Sequence, residues 1–145
     1  MYIGIDFDGT CTTHDFPKVG KDVGAVPILK RLVDNGHQLI LFTMRSNIIN
    51  PKVDIKDSFH LKSDVKSGNY LDDAVDWFKD NDIELFGIQT NPSQHTWTSS
   101  PKAYAQLYID DASLGCPLVI DKTLSDRPFV NWNHVELLLT NMGII

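Results

Sequence analysis

The stretch MYIGIDFDGTCTT, residues 1–13, decides the fold. A run of apolar and small residues leads straight into Asp6, Phe7, Asp8, Gly9 and Thr10. Residues 2–6 show little polar alternation, as strands of a parallel sheet do when both faces are buried. Two carboxylates two residues apart at the end of such a strand have two readings. They are turn formers ahead of a glycine, or they are the start of a metal-assisted phosphate site.

Working outward, apolar positions Val23, Val26, Ile28, Leu29, Leu32 and Val33 recur on one helical face within residues 22–35. Gly36 is a stop signal, and Pro27 allows a later start. HQLILFT (37–43) reads as a second strand and ELFGIQT (84–90) as a third. A fourth, AQLYIDD (105–111), ends in Asp110 and Asp111, and PLVI (117–120) reads as a fifth. Between them, residues 70–80 form a helix with Leu71, Ala74, Val75 and Phe78 inward. Asn69 is its expected N-cap, with Asp72 and Asp73 in the first turn, where the helix dipole favours them. Val135, Leu138, Leu139 and Met142 mark a closing helix over 133–142. Strands alternating with helices predict an α/β fold built on a mainly parallel five-stranded sheet.

The totals narrow the function. With 145 residues, 42% hydrophobic and 22% charged, the chain fits one ordinary domain, 1–145, and not a disordered one. A net charge of −6 disfavours general nucleic-acid binding, which needs clustered Lys and Arg. Cys11 and Cys116 are too few for a disulfide framework, and no CxxC pair is present. Neither a signal peptide nor a membrane span is expected, so a cytoplasmic location is.

Ligands of open α/β sheets collect at the carboxyl ends of the strands. There the sequence places Asp6 and Asp8, Thr43 with Arg45 two residues on, and Asp110 with Asp111; Lys102 lies on the segment leading into the fourth strand. Four acids so close repel one another unless a cation sits among them. All-oxygen ligands suit Mg²⁺.

At these residues the chain resembles the haloacid dehalogenase-like superfamily. DFDGT is similar to its first motif and LILFT to its second, an apolar strand ending in Thr or Ser. Lys102 fits the third, and LYIDD the fourth. The four occur in order from Asp6 to Asp111. The resemblance implies a three-layer α/β/α, Rossmann-like domain and a Mg²⁺-dependent phosphatase. Asp6 would attack phosphorus to form an aspartyl-phosphate. Asp8 would serve as general acid, then as general base. Mg²⁺ would be held by Asp6, the Asp8 backbone carbonyl and the Asp110–Asp111 pair, with Asp111 the favoured direct ligand and Asp110 a supporting group or partner of Lys102. Thr43 and Lys102 would bind the phosphoryl group.

Arg45 has two readings, a bidentate phosphate contact or an exposed loop residue. His95 and Trp97 read as a surface histidine and a packing tryptophan rather than pocket lining. Cys11 lies near the site without the marks of a reactive thiol. No segment is long enough for a large cap; residues 46–68 could form a small lid at most. An open site suits either a large substrate, such as a nucleic-acid end or a phosphoprotein, or closure by a neighbouring subunit. The acidic balance disfavours a general nucleic-acid binder and so favours a small phosphomonoester and a homo-oligomer, with no membrane partner. Dehalogenase chemistry needs neither Asp8 nor Mg²⁺, and a receiver domain would need an Asp after the third strand. Two alternatives remain: a non-catalytic Mg²⁺- or phosphate-binding interaction domain, and a phosphotransferase using the same site.

Overall fold

The computed structural model describes residues 1–48 and 66–145. The chain runs β1 (Tyr2–Ile5), α1 (Ala25–Asp34), β2 (Gln38–Leu41), β3 (Asn47–Ile48), β4 (Gly68–Asn69), α2 (Tyr70–Asp80), β5 (Leu85–Ile88), β6 (Leu107–Ile109), β7 (Leu118–Val119), β8 (Phe129–Val130) and α3 (Trp132–Asn141). Four strands form one parallel sheet in the order β5-β2-β1-β6. The strand read first in the sequence is therefore central, and its carboxyl end lies between those of β2 and β6.

Alternation along the strands sorts the two faces. Ile3, Ile5, Leu39, Leu41 and Ile109 share one buried cluster with Ala25, Ile28, Leu29 and Leu32 of α1. Ala74 and Phe78 of α2 and Val135 and Leu139 of α3 join the same cluster. The three α-helices among the described residues thus cover one face. Aromatic rings cover the other: Tyr2 lies 5.3 Å from Phe86, and Phe42 lies 6.1 Å from Tyr108, centroid to centroid. Tyr108 fills the space beside Gly4, where a Cβ would come within 2.6 Å of the ring. Residues 89–106 close this side with a single 3₁₀ turn, Gln94–Thr96. Buried Asn91 and Gln94 hold that strap through the carbonyls of Tyr104, Ser100 and Lys102. The expected second helical layer is an irregular strap, because its polar side chains satisfy the backbone groups that a helix would pair internally.

Among the described residues the sheet also has four strands rather than five. Leu118 and Val119 pair antiparallel with Val130 and Phe129 instead of joining β6. A parallel neighbour of β6 needs a crossover of about a dozen residues or more, and residues 110–117 are too few. The helix expectations fare better. α2 has the expected bounds, but Asn69 makes no side-chain cap. The Asn47 side-chain oxygen does that work, accepting the N–H groups of Leu71 at 3.1 Å and Asp72 at 3.2 Å. Most of the 46–68 stretch, and with it the lid expectation, lies outside the described residues; its described ends pair as β3 and β4. No helix among the described residues is long and apolar enough to cross a membrane.

Candidate functional site

The register of β1 and β6, Ile5 opposite Ile109, carries on for one step as the Asp6 N–H bonds the Ile109 carbonyl at 3.0 Å. Asp6 and Asp110 therefore leave neighbouring strands side by side. Asp6, Asp110 and Asp111 each offer one carboxylate oxygen, and the three oxygens lie within 4.8 Å of one another. Thr10 ties this corner together. Its hydroxyl donates to Asp6 Oδ2 at 3.3 Å and accepts the Asp111 N–H at 3.1 Å. The buried Trp132 indole fixes Thr10 in turn, donating to its carbonyl at 2.7 Å.

Burial pushes the Asp6 carboxyl up from 3.8 to about 7; the Phe7 backbone hydrogen bond opposes this, and the charges of Asp110, Asp111 and Asp8 add to it. A carboxyl raised on folding contributes stability that is whole below its unfolded value and is lost as pH rises through its folded one. In EDTA, the melting temperature is therefore expected to fall between about pH 4 and about pH 7 by more than in D6N. Parallel thermal unfolding curves of the two proteins would expose an error, since equal slopes rule this out.

The sequence has no matching family model, and no curated protein matches it. One solved structure is similar: a conserved protein of Bacteroides thetaiotaomicron, 26% identical, with a TM-score of 0.68 over 98% of this chain and 91% of that one. The likeness spans nearly the whole α/β chain. It names no activity.

The other expected residues are placed differently from one another. Thr43 stands just past the end of β2, at the same sheet edge. Gln89 holds it there, accepting the Thr43 N–H at 3.1 Å and donating to the carbonyls of Thr43 at 2.6 Å and Arg45 at 3.0 Å. Gln89 adopts φ 61, which turns the end of β5 toward this loop. Lys102 is exposed and makes no ion pair among the described residues; its Nζ lies 5.5 Å over the Tyr108 ring. Tyr108 lies in β6, which leads directly into Asp110 and Asp111, but Lys102 makes no hydrogen bond or ion pair with any of the three carboxylates.

Arg45 departs most from expectation. It is neither an exposed loop residue nor open to a phosphate, being only 2% exposed. Its guanidinium grips Asp8 through two hydrogen bonds of 2.7 Å, from Nε to Oδ2 and from Nη2 to Oδ1. Asp8 consequently stands apart from the three-carboxylate corner, held by a buried cation. Trp97 is 61% exposed and stacks edge-on against Tyr104, and His95 is exposed. Burial pushes the Cys11 thiol well above its ordinary range; its sulfur bonds the Asp6 carbonyl at 3.2 Å, a structural contact.

Two contributors escaped the sequence reading. His14 sets Nε2 3.0 Å from Asp111 Oδ2, and it comes from the segment after DFDGT that carried no motif. A lone histidine in a turn-rich stretch gives no periodic signal. Gln89 looked like an ordinary strand end.

Proposed function

We propose that the chain is a Mg²⁺-dependent phosphomonoesterase of the haloacid dehalogenase-like type, acting through an aspartyl-phosphate on Asp6. The observation that carries this reading is the convergence of Asp6, Asp110 and Asp111 at the carboxyl edge of adjacent parallel strands. The strand order β5-β2-β1-β6 supports it, being the first part of a Rossmann-like sheet. An all-carboxylate donor set fits a hard divalent cation. Asp6, the Asp8 backbone carbonyl and the Asp110–Asp111 pair would hold Mg²⁺. Once bound, the ion supplies Lewis-acid stabilisation of charge on the phosphoryl oxygens.

The chain's own residues do the rest. An Asp6 oxygen attacks phosphorus in line, forming an O–P bond as the ester O–P bond breaks. Asp8 protonates the departing oxygen, then takes a proton from the water that attacks the phosphoaspartate, whose O–P bond breaks to release inorganic phosphate and the Asp6 carboxylate. The Thr43 hydroxyl donates to the phosphoryl oxygens, and Lys102 balances their charge after leaving Tyr108. A small phosphomonoester, handled by a homo-oligomer in the cytoplasm, suits an acidic site with no large cap among the described residues.

One observation favours a second reading. Both Asp8 oxygens are engaged by Arg45, as they would be in a non-catalytic Mg²⁺- or phosphate-binding domain. Hydrolysis of an aryl phosphate, with Mg²⁺ and with EDTA, separates the two. Phosphate release that requires Mg²⁺ and stops in EDTA is expected. Silence across a broad ester panel, while Mg²⁺ still raises the melting temperature, would support the binding domain. Transfer to an added alcohol would identify a phosphotransferase.

A further inference from the structure

Arg45 has five N–H donors on three nitrogens, and all three nitrogens donate within the protein. Nε and one Nη2 hydrogen serve Asp8, each at 2.7 Å. The second Nη2 hydrogen bonds the Lys18 carbonyl at 2.6 Å. The Nη1 hydrogens reach the Pro17 carbonyl at 3.4 Å and the Tyr70 carbonyl at 3.5 Å. The rings of Phe7 and Phe16 cover the guanidinium, with its central carbon 5.0 and 5.3 Å from their centroids. Its short bonds all go to the protein and the residue is 2% exposed, so the guanidinium does not face a substrate phosphate.

The geometry points to Arg45 as a positioning residue that fixes Asp8 and segment 14–20 together at the edge of the carboxylate corner. Three parts of the chain meet on this one side chain: the loop after β1, the 14–20 segment and the start of α2. Phe16 packs on Tyr70, ring centroids 5.0 Å apart, which reinforces the same junction. The anchored segment begins at His14, the residue that reaches Asp111. By holding Pro17 and Lys18, Arg45 thus governs both sides of the site: the Asp8 carboxylate directly and the His14–Asp111 contact through the chain. A lysine keeps the charge but lacks the planar fork, so it cannot hold Asp8 and the two carbonyls at once.

The catalytic part of this inference rests on the phosphatase reading; the anchoring part does not. Two measurements on R45K, with R45A beside it, keep them apart. On p-nitrophenyl phosphate with saturating Mg²⁺, R45K is expected to lower kcat about 100-fold while KM stays within about threefold. R45K is expected to slow D8N far less than it slows the wild type, because the part of its effect that runs through the Asp8 carboxylate is already lost. A KM raised tenfold with kcat kept, or additive losses in the double variant, would overturn the assignment and make Arg45 a phosphate ligand. Independently of turnover, amide hydrogen exchange over residues 13–21 is expected to quicken at least about tenfold in R45K, with α1 unchanged. Unchanged exchange there would overturn the anchoring role. If the wild type hydrolyses no ester, the phosphatase reading falls, and the exchange experiment still decides for or against Arg45. R45A sharpens both effects if it folds; R45K suffices if it does not.

Discussion

Asp6→Asn is expected to stop turnover and, at the same time, to stabilise the metal-free protein. The amide cannot attack phosphorus, so aryl phosphate hydrolysis should fall at least about 10³-fold. The opposite effect on stability follows from the carboxylate corner. Burial and the charges of Asp110, Asp111 and Asp8 hold Asp6 at about 7, against an ordinary 3.8. Ionising it in the folded chain above that pH costs up to about 4 kcal/mol. Asparagine removes the charge but still buries a polar group, which costs in its own right. The net gain expected at pH 8 in EDTA is about 1–2 kcal/mol, or about 5 °C in melting temperature for a chain this size. Mg²⁺ should raise the wild-type melting temperature and leave D6N nearly unmoved, since one of three carboxylate ligands is gone. A D6N protein that is less stable than the wild type at pH 8 would contradict the repulsion argument. One that keeps its turnover would contradict the nucleophile assignment. An active site that gains stability when its chemistry is removed is a familiar trade-off.

What the sequence made legible was whatever has a period. β1, β2, β5 and β6 are apolar runs ending in polar residues, and each falls within its expected stretch. The three helices carry apolar positions at helical spacing, and α2 matches its expected bounds. Asp6 and Asp110 could be placed together because both directly follow a buried strand, and parallel register does the rest. What stayed hidden depends on contacts between distant segments. Arg45 looked like a loop residue because its partners come from residues 8, 17, 18 and 70. Residues 117–120 had strand composition, but composition does not say which strand will be the neighbour; the short connection from β6 sent them to β8. The strap that takes the place of a second helical layer among the described residues had a trace in the sequence, since Tyr2, Gly4, Phe42 and Tyr108 alternate with the helix-facing residues. Their meaning depends on Tyr108 filling the gap beside Gly4. The candidate site was thus legible as a set of acids, and illegible as the network that orients them.

Gly9→Ala tests that network where it is tightest. Gly9 has φ 85, a left-handed conformation that an L side chain adopts only with strain. The added Cβ would lie 2.2 Å from His14 Nε2 and 2.8 Å from Asp111 Oδ2. The backbone cannot easily move aside. The Gly9 N–H bonds the Thr12 carbonyl at 2.7 Å, and its carbonyl accepts the Val130 N–H at 2.8 Å, stitching the loop to β8. The imidazole is the freer partner, so it should be the one that yields, breaking its contact with Asp111. Strain at φ costs about 1–2 kcal/mol, and the lost contact and crowding add about as much. A fall of about 5–10 °C in melting temperature is expected, together with weaker stabilisation by Mg²⁺ as Asp111 loses its orienting partner. The cause can be divided by a second substitution. Removing the imidazole in G9A/H14A relieves the clash but leaves the backbone strain, so the double variant should recover part of the stability that G9A loses. If G9A and G9A/H14A melt at the same temperature, His14 does not sit over Gly9, and the 14–20 segment does not reach the carboxylate corner. If G9A melts with the wild type, the sharp turn after Asp8 is not the left-handed one that sets the Asp8 side chain toward Arg45.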